Sequence, residues 1–367
     1  MKNKTLEEYP WFCPEPFTNI MTSIGGSPKP CCHIDTKNWQ GQDIVDFRKE
    51  FLNGSRDIID KCCVRCIKQE EVGNKSFRQN YLQKFVDRNL DIDLENPPLL
   101  TMEYKAQNNL CNLRCNMCKP ILSSSFAKEN LALGKPINYK MNNKSHYEEI
   151  SQPVYLKDLM ELKLVGGETL AIAENYQIME QCPSDVVLSI TTNGTVTPKF
   201  NGKTIFDFIP KFKEVHMNVS IEFWGEKNNY LRFPSKWQTI MKNVKKFKSY
   251  ENCIVSHHVT VNALNIGHML EIVDNTFCPI SMDNLVYGDD EIYSVVSTPP
   301  SIREKYLDNY YKNYKKEIDH IISYLEDIEY DETQMWKMLQ DIKDRDKYRG
   351  TCLIDILPEW KPYYEKL

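Results

Sequence analysis

Four short stretches of the chain alternate strictly between apolar and polar residues. In Val215–Phe223 the odd positions are Val, Met, Val, Ile and Phe, and the even ones are His216, Asn218, Ser220 and Glu222. Leu188–Asn193 places Ser189, Thr191 and Asn193 on one side. Val255–Asn262 does the same with Ser256, His258, Thr260 and Asn262, and Leu100–Lys105 with Thr101, Glu103 and Lys105. Successive side chains of a strand point to opposite faces, so each stretch predicts a strand with one apolar and one polar face. Amphipathic helical segments separate these strands, the signature of an α/β fold with a parallel sheet and crossover helices. An antiparallel sheet with one face in solvent is the alternative, and the intervening helices count against it. Helices have to cover the apolar face, which leaves the polar face to line the interior. A closed eight-stranded barrel is normally filled by branched apolar side chains. Polar-lined strands instead predict an open, wet interior that holds a polar ligand.

The flanks have a different texture. Residues 1–95 are rich in cysteine and turn residues, with helices expected near Asp43–Leu52 and around Asn80–Asn89. Pro97-Pro98 then breaks the chain before a strand, Leu99–Lys105. Residues 296–367 read as charged helices, such as Arg303–Glu326 and Thr333–Asp344, and no repeat of solenoid length is present. Three regions follow: 1–95, 96–295 and 296–367. Within the middle one, the polar segment Ser123–Ile150 reads either as a lid or substrate-docking loop or as a surface insertion.

Composition narrows the function. The 46 basic and 51 acidic residues give a formal charge of −5 over 367 residues, against the basic footprint of a phosphate-driven nucleic-acid binder. Lys242, Lys245, Lys246 and Lys248 read as the solvated face of one helix. The first twenty residues lack a signal-peptide core, and no run approaches the ~20 apolar residues of a spanning helix, so a cytoplasmic protein with no membrane partner is expected. Thirteen cysteines in a reducing compartment are not a disulfide framework. Nine of them fall in two groups, which points to metal or iron–sulfur binding. Cys182, Cys253, Cys278 and Cys352 are scattered and read as buried thiols.

The tighter group follows the first barrel strand: Cys111, Cys115 and Cys118, in a C-x3-C-x2-C loop running from Asn108. Three thiolates in eight residues can ligate three irons of a [4Fe–4S] cube, where ordinary clusters take four cysteines. The fourth iron would stay open, as catalytic metal sites keep a vacant position. Structural zinc prefers four protein ligands, and none completes the set nearby. In the N-terminal group, Cys13 and Cys31 bracket Gly26, and Cys63-Val64-Arg65-Cys66 adds a pair. Four such thiols suit zinc or a fully ligated cluster equally. The doublets Cys31-Cys32 and Cys62-Cys63 leave the ligand choice open at this point, with Cys63 separated from Cys66 by two residues.

Together these motifs resemble those of the radical S-adenosylmethionine (SAM) superfamily. The C-x3-C-x2-C loop is similar to its defining motif, with Met117 where an aromatic is more common. Gly166-Gly167-Glu168 resembles the GGE motif, whose glycines let the backbone approach the methionine amino group while Glu168 accepts its hydrogen bond. By the same resemblance Asn193 lies near the SAM ribose, Ser220 and Glu222 contact the ribose and sulfonium region, and Arg232 binds the carboxylate. The resemblance covers about residues 99–295 and implies a partial (β/α)6 TIM-like barrel, with a small cysteine-rich N-terminal domain and C-terminal helices flanking it. The N-terminal pattern, with Phe12-Cys13-Pro14, Glu70, Gly73, Ser76 and Arg78, resembles twitch or SPASM-like auxiliary-cluster domains, placed here before the barrel.

Such an enzyme would carry an open-site [4Fe–4S] cluster on Cys111, Cys115 and Cys118, SAM, and a second cluster on Cys13, Cys31, Cys63 and Cys66. An electron donor such as a flavodoxin or ferredoxin is the expected partner. The resemblance implies reductive cleavage of SAM to a 5′-deoxyadenosyl radical that abstracts hydrogen from a polar substrate. His216, Asn218, His258 and Asn262 are candidate substrate contacts. Oxidation or cross-linking of a peptide side chain comes first. Oxidation or rearrangement of a sugar or nucleotide is the alternative, and a non-enzymatic zinc protein is the reading from another class. A tRNA-modifying activity fits the acidic charge less well.

Overall fold

The computed structural model describes residues 11–23, 26–35, 38–39, 44–52, 56–71, 73, 75–88, 93, 96–106, 108–137, 156–288 and 291–367. Four of the eight strands among the described residues, β3, β5, β6 and β7, lie close to where the alternation puts them. They are β1 (Asn19–Ser23), β2 (Gly26–Lys29), β3 (Thr101–Lys105), β4 (Glu161–Val165), β5 (Val187–Thr192), β6 (Glu214–Ser220), β7 (Cys253–Val261) and β8 (Ile280–Leu285). Their order in the sheet is β2-β1-β3-β4-β5-β6-β7-β8, so the strands from β3 onward follow the chain. β3–β4, β4–β5 and β7–β8 pair in parallel, and β1 joins β3 in parallel while forming an antiparallel hairpin with β2. Parallel neighbours require crossover connections. The antiparallel alternative therefore falls, and the fold is mixed α/β.

The longer helices are α1 (Ile44–Leu52), α2 (Asp57–Cys62), α3 (Val64–Glu71), α4 (Phe77–Asp87), α5 (Ser124–Ala132), α6 (Ala173–Gln181), α7 (Trp237–Phe247), α8 (Met269–Asn275), α9 (Pro300–Lys312), α10 (Asp319–Asp327) and α11 (Glu332–Arg349). α4 starts earlier than its pattern suggests because Ser76 and Gln79 form a capping box. Asp43 and Asn89, which bounded two expected helices, lie outside the described residues. The single helix expected over 303–326 is two, broken after Lys312, where the Asn313 amide turns back onto Asn309. α11 runs on to Arg349 and stops at Gly350, whose φ of 69° suits the left-handed cap. α7 shows why the pattern was readable: Ile240, Val244 and Phe247 are fully buried while Lys242, Lys245 and Lys246 are exposed. Each such burial stabilises by about 1.5–3 kcal/mol.

The described residues divide into two compact units. The first lies within 1–108, 140–190 and 207–215; its core joins Phe12, Phe17, Ile34, Trp39, Phe47, Ile59 and Phe85. The second lies within 109–139, 191–206 and 216–367 and includes the C-terminal helices. In β6 and β7 the apolar positions of the alternation (Val215, Met217, Val219, Val255, Val259 and Val261) are buried, Ile254 at the start of β7 is exposed, and the polar positions Asn218, Ser256 and His258 are half-buried. Cys182, Cys253 and Cys278 are buried as expected, whereas Cys352 is partly exposed. No helix among the described residues is long and apolar enough to cross a membrane.

Candidate functional site

The three-cysteine loop belongs to the second unit, and hydrogen bonds fix it almost residue by residue. Ser123 caps α5 and donates to Leu113 O at 2.7 Å. Ser125 donates to Cys111 O at 2.7 Å, and the Ser124 hydroxyl receives Cys111 N–H at 3.2 Å. The amides of Arg114 and Asn116 donate to Phe233 O (2.6 Å) and Leu231 O (2.9 Å). Consequently the start of the expected lid is Ser123, a helix cap, followed by the helix Ser124–Ala132, whose first turn holds the loop. Residues 138–150 of that segment lie outside the described residues. Cys111 and Cys115 are buried and Cys118 is partly open. Burial pushes the Cys115 thiol up to about 11 and the Cys118 thiol higher still. Ligation would have to expel these protons, as metal binding at thiols does.

Arg232 and Glu222 stand beside these thiols. Arg232 Nη1 donates to Glu222 Oε1 at 2.8 Å, and both side chains are largely buried. Burial drives the Glu222 carboxyl up to about 7, against the pull of Arg232 and the Thr260 amide. Burial opposes the charge on Arg232, but Cys115, Glu222 and Cys111 hold it firmly protonated. Glu222 also accepts from Thr260 N (3.0 Å), so its carboxylate is engaged inside the fold as a brace for Arg232. Arg232 Nε is buried without a partner, a donor to spare for an anionic group.

The second cysteine group is built in the first unit. Cys13, Cys31, Cys63 and Cys66 line one cavity with Pro16, Pro30, His33, Ile34, Phe47 and Phe77. Cys63 N–H donates to Ile59 O where α2 ends, and Cys66 N–H donates to Cys63 O, so the helix break turns both thiols the same way. Their doublet partners go elsewhere. Cys62 packs into the apolar core, and Cys32 faces a separate cavity beside Tyr81. Burial raises all four cavity thiols, Cys63 to about 12. Arg78 braces the wall with a two-pronged bond to Glu70 (2.9 and 2.6 Å) and a third to Phe12 O (3.1 Å), while Ser76 donates to Glu70. Gly73 turns the chain between them at φ 78°.

Among the described residues, no three His, Cys, Asp or Glu side chains converge as ligands of a single ion do. Zinc would gather four sulfurs at 2.3 Å from one point. A cube spreads its thiolates over separate corners, and thiols distributed around a cavity or along a loop are the arrangement present. Both donor sets consist of thiols, three along one loop and four around one cavity, and thiols serve an iron–sulfur cluster or, where four meet, structural zinc.

No family model and no curated protein matches the chain. Similarity to solved structures is low. An anSMEcpe with bound AdoMet aligns over 59% of this chain and 60% of its own, at 19% identity and TM-score 0.41. Streptococcus suis SuiB bound to S-adenosylmethionine aligns over 72% and 61%, at 15% identity and TM-score 0.39. SuiB bound to precursor peptide SuiA aligns over 84% and 65%, at 16% identity and TM-score 0.37. The chain thus spans about three fifths of the length of these structures.

The remaining motif residues have defined local places. Gly166 adopts φ 152°, and Glu168 is fully buried and accepts from Leu170 N at 3.0 Å, capping a short 3-10 turn. Asn193 donates to Asn112 Oδ1 (2.9 Å) and accepts from Thr195, whose hydroxyl also accepts from Asn112 Nδ2, closing a ring on the cysteine loop. Gly194 follows at φ 70°, where an added Cβ would stand 3.0 Å from Val219. Ser220 is half-buried on β6. Asn218, Ser256 and His258 form a ladder across β6 and β7 at 2.9 and 3.1 Å, and His216 is half-buried on the same alternation. Asn262 is different: it is fully buried, and its amide serves the turn after β7. In the first unit, Thr101, Glu103 and Lys163 line a cavity of about 250 Å³. Asn112, Glu129 and Arg349 carried no sequence signal, since each acts through a partner 80 to 230 residues away.

Proposed function

We propose that this chain is a radical SAM enzyme whose Cys111, Cys115 and Cys118 hold a [4Fe–4S] cluster with one open iron. The observation that carries the proposal is the cysteine loop: three thiols, pinned on both sides, beside Arg232 with a buried guanidinium donor unspent. A cluster held by these thiols would supply the electron for reductive cleavage of SAM, the chemistry that generates a hydrogen-abstracting 5′-deoxyadenosyl radical. The chain's own residues bind and orient. Arg232, held by Glu222, is placed to receive an anionic group such as the SAM carboxylate. By the resemblance, Asn193 and Ser220 would serve the ribose of SAM.

Cys13, Cys31, Cys63 and Cys66 would hold a fully ligated auxiliary cluster in a twitch-like N-terminal region. A flavodoxin or ferredoxin would deliver electrons in the cytoplasm. The half-buried ladder of Asn218, Ser256 and His258 favours a polar substrate. A peptide side chain is our first choice on the resemblance of the N-terminal motifs; a small polar metabolite is the alternative.

Iron and sulfide counts on anaerobically reconstituted protein test this. Wild type should hold about eight irons, and a Cys111/Cys115/Cys118 triple alanine variant about four, with loss of SAM binding. Stoichiometric zinc, no iron and no SAM binding in folded protein would sink the proposal and return the non-enzymatic zinc protein to first place.

A further inference from the structure

Arg349 sits in the last turn of α11, yet its guanidinium is aimed at the cysteine loop. One Nη donates to Arg114 O at 2.6 Å and the other to Asn116 Oδ1, so the fork brackets Cys115 from both sides. The side chain is 2% exposed. Its remaining donors go to Glu129 at 3.0 and 2.6 Å. Glu129, wholly buried on α5, also receives Arg345 at 2.6 Å and Arg114 at 3.4 Å. Arg345 is fixed in turn by Asp341, which Lys135 also meets at 2.6 Å. Phe233 packs under the guanidinium of Arg349, 5.1 Å from its ring centre, and Phe126 under that of Arg345 at 4.3 Å.

Burying several guanidiniums costs several kcal/mol per ion unless each is well paired, and apolar residues usually close a helix contact as stably. Tying α11 to α5 does not by itself explain the network. What an apolar contact could not supply is a rigid donor fork on the loop and a permanent cation next to Cys115. Lysine would bring the charge without the fork.

We propose that Arg349, oriented by Glu129, is a positioning residue of the cluster site: it fixes residues 114–116 and sets the positive potential felt at the loop. The C-terminal helix is then part of the site. The proposal rests on the cluster reading for its electrostatic half only, because the loop's rigidity can be measured without iron.

The test uses full-length Arg349→Met and Arg349→Lys proteins. In unloaded protein, hydrogen exchange of residues 109–119 should accelerate at least about tenfold in both variants, with the sheet amides unchanged. After reconstitution, the EPR signal that responds to SAM should shift to lower midpoint potential in Arg349→Met and stay near wild type in Arg349→Lys. Loop exchange and potential both unchanged in Arg349→Met would overturn the proposal. If Arg349→Met does not fold, Arg349→Lys decides: loop-specific acceleration supports the clamp, and wild-type exchange overturns it. A wild-type protein with no cluster on the loop would instead defeat the proposed function, leaving the exchange result to judge the clamp alone.

Discussion

The two cysteine sites are made by opposite means. In the second unit, three thiols come from eight consecutive residues, and polar bonds hold them: serine hydroxyls, the carbonyls of Leu231 and Phe233, and a buried arginine. In the first unit, four thiols arrive from separate segments, and mostly apolar and aromatic side chains surround them, with His33, Arg78 and Tyr81 also in the lining. A cation with an unspent donor next to the loop, Arg232, suits a site that must accept and release an anionic ligand. Apolar walls and a complete set of thiols suit a cluster that keeps its ligands and passes electrons. If both sites hold clusters as proposed, position and surroundings would separate their roles, since the ligand chemistry is the same.

Replacing Arg232 by Met should break the loop site hardest. Glu222 would be left buried without its counter-charge, a loss of about 3–5 kcal/mol in urea unfolding at pH 8. The loss should shrink toward pH 5, where Glu222, already near 7 through burial, takes up a proton. Substituting Cys63→Ala with Cys66→Ala addresses the other site. Iron should fall by about half, while SAM is still cleaved, since the loop is intact. Loss of SAM cleavage in that variant, with the loop's iron retained, would show that the two sites do not have separate roles.

Smaller effects sharpen the contrast within the doublets. Cys62→Ala should cost about 1 kcal/mol of stability, because Cys62 is 1% exposed in the apolar core, and leave iron unchanged. Cys32→Ala should change neither quantity. Iron loss in either would redraw the ligand set. His257, in neither site, offers a baseline for pH. Its Nδ1 meets Thr276, Trp224 and Phe277 wall it in, and burial pulls its pKa down to about 4. The folded protein therefore keeps it neutral. The stability tied to that neutral form is complete above about 6.5 and is lost as pH falls through 4, at most about 3 kcal/mol. His257→Gln should flatten this window in thermal unfolding.

Local chemistry was legible in the chain, and long-range chemistry was not. Alternation in Val215–Phe223 marked β6 because strand faces differ residue by residue, and the cysteine loop was readable because its thiols are neighbours. Asn262 obeyed the same alternation and misled, since a strand pattern does not show where the strand ends and its turn begins. The resemblance of Glu222 to a ligand contact likewise could not foresee that Arg232, Thr260 and Asn265 would engage its carboxylate. Arg349 shows the limit most clearly. In the chain it is one basic residue at a helix end; only folding brings it to Arg114 and Asn116.

The most direct test is to reduce the reconstituted protein anaerobically with SAM and quantify 5′-deoxyadenosine in wild type and in the Cys111/Cys115/Cys118 triple alanine variant. Formation in wild type, absent from the variant, is the predicted result. A folded, iron-loaded wild type that makes no 5′-deoxyadenosine above the variant would contradict the central claim.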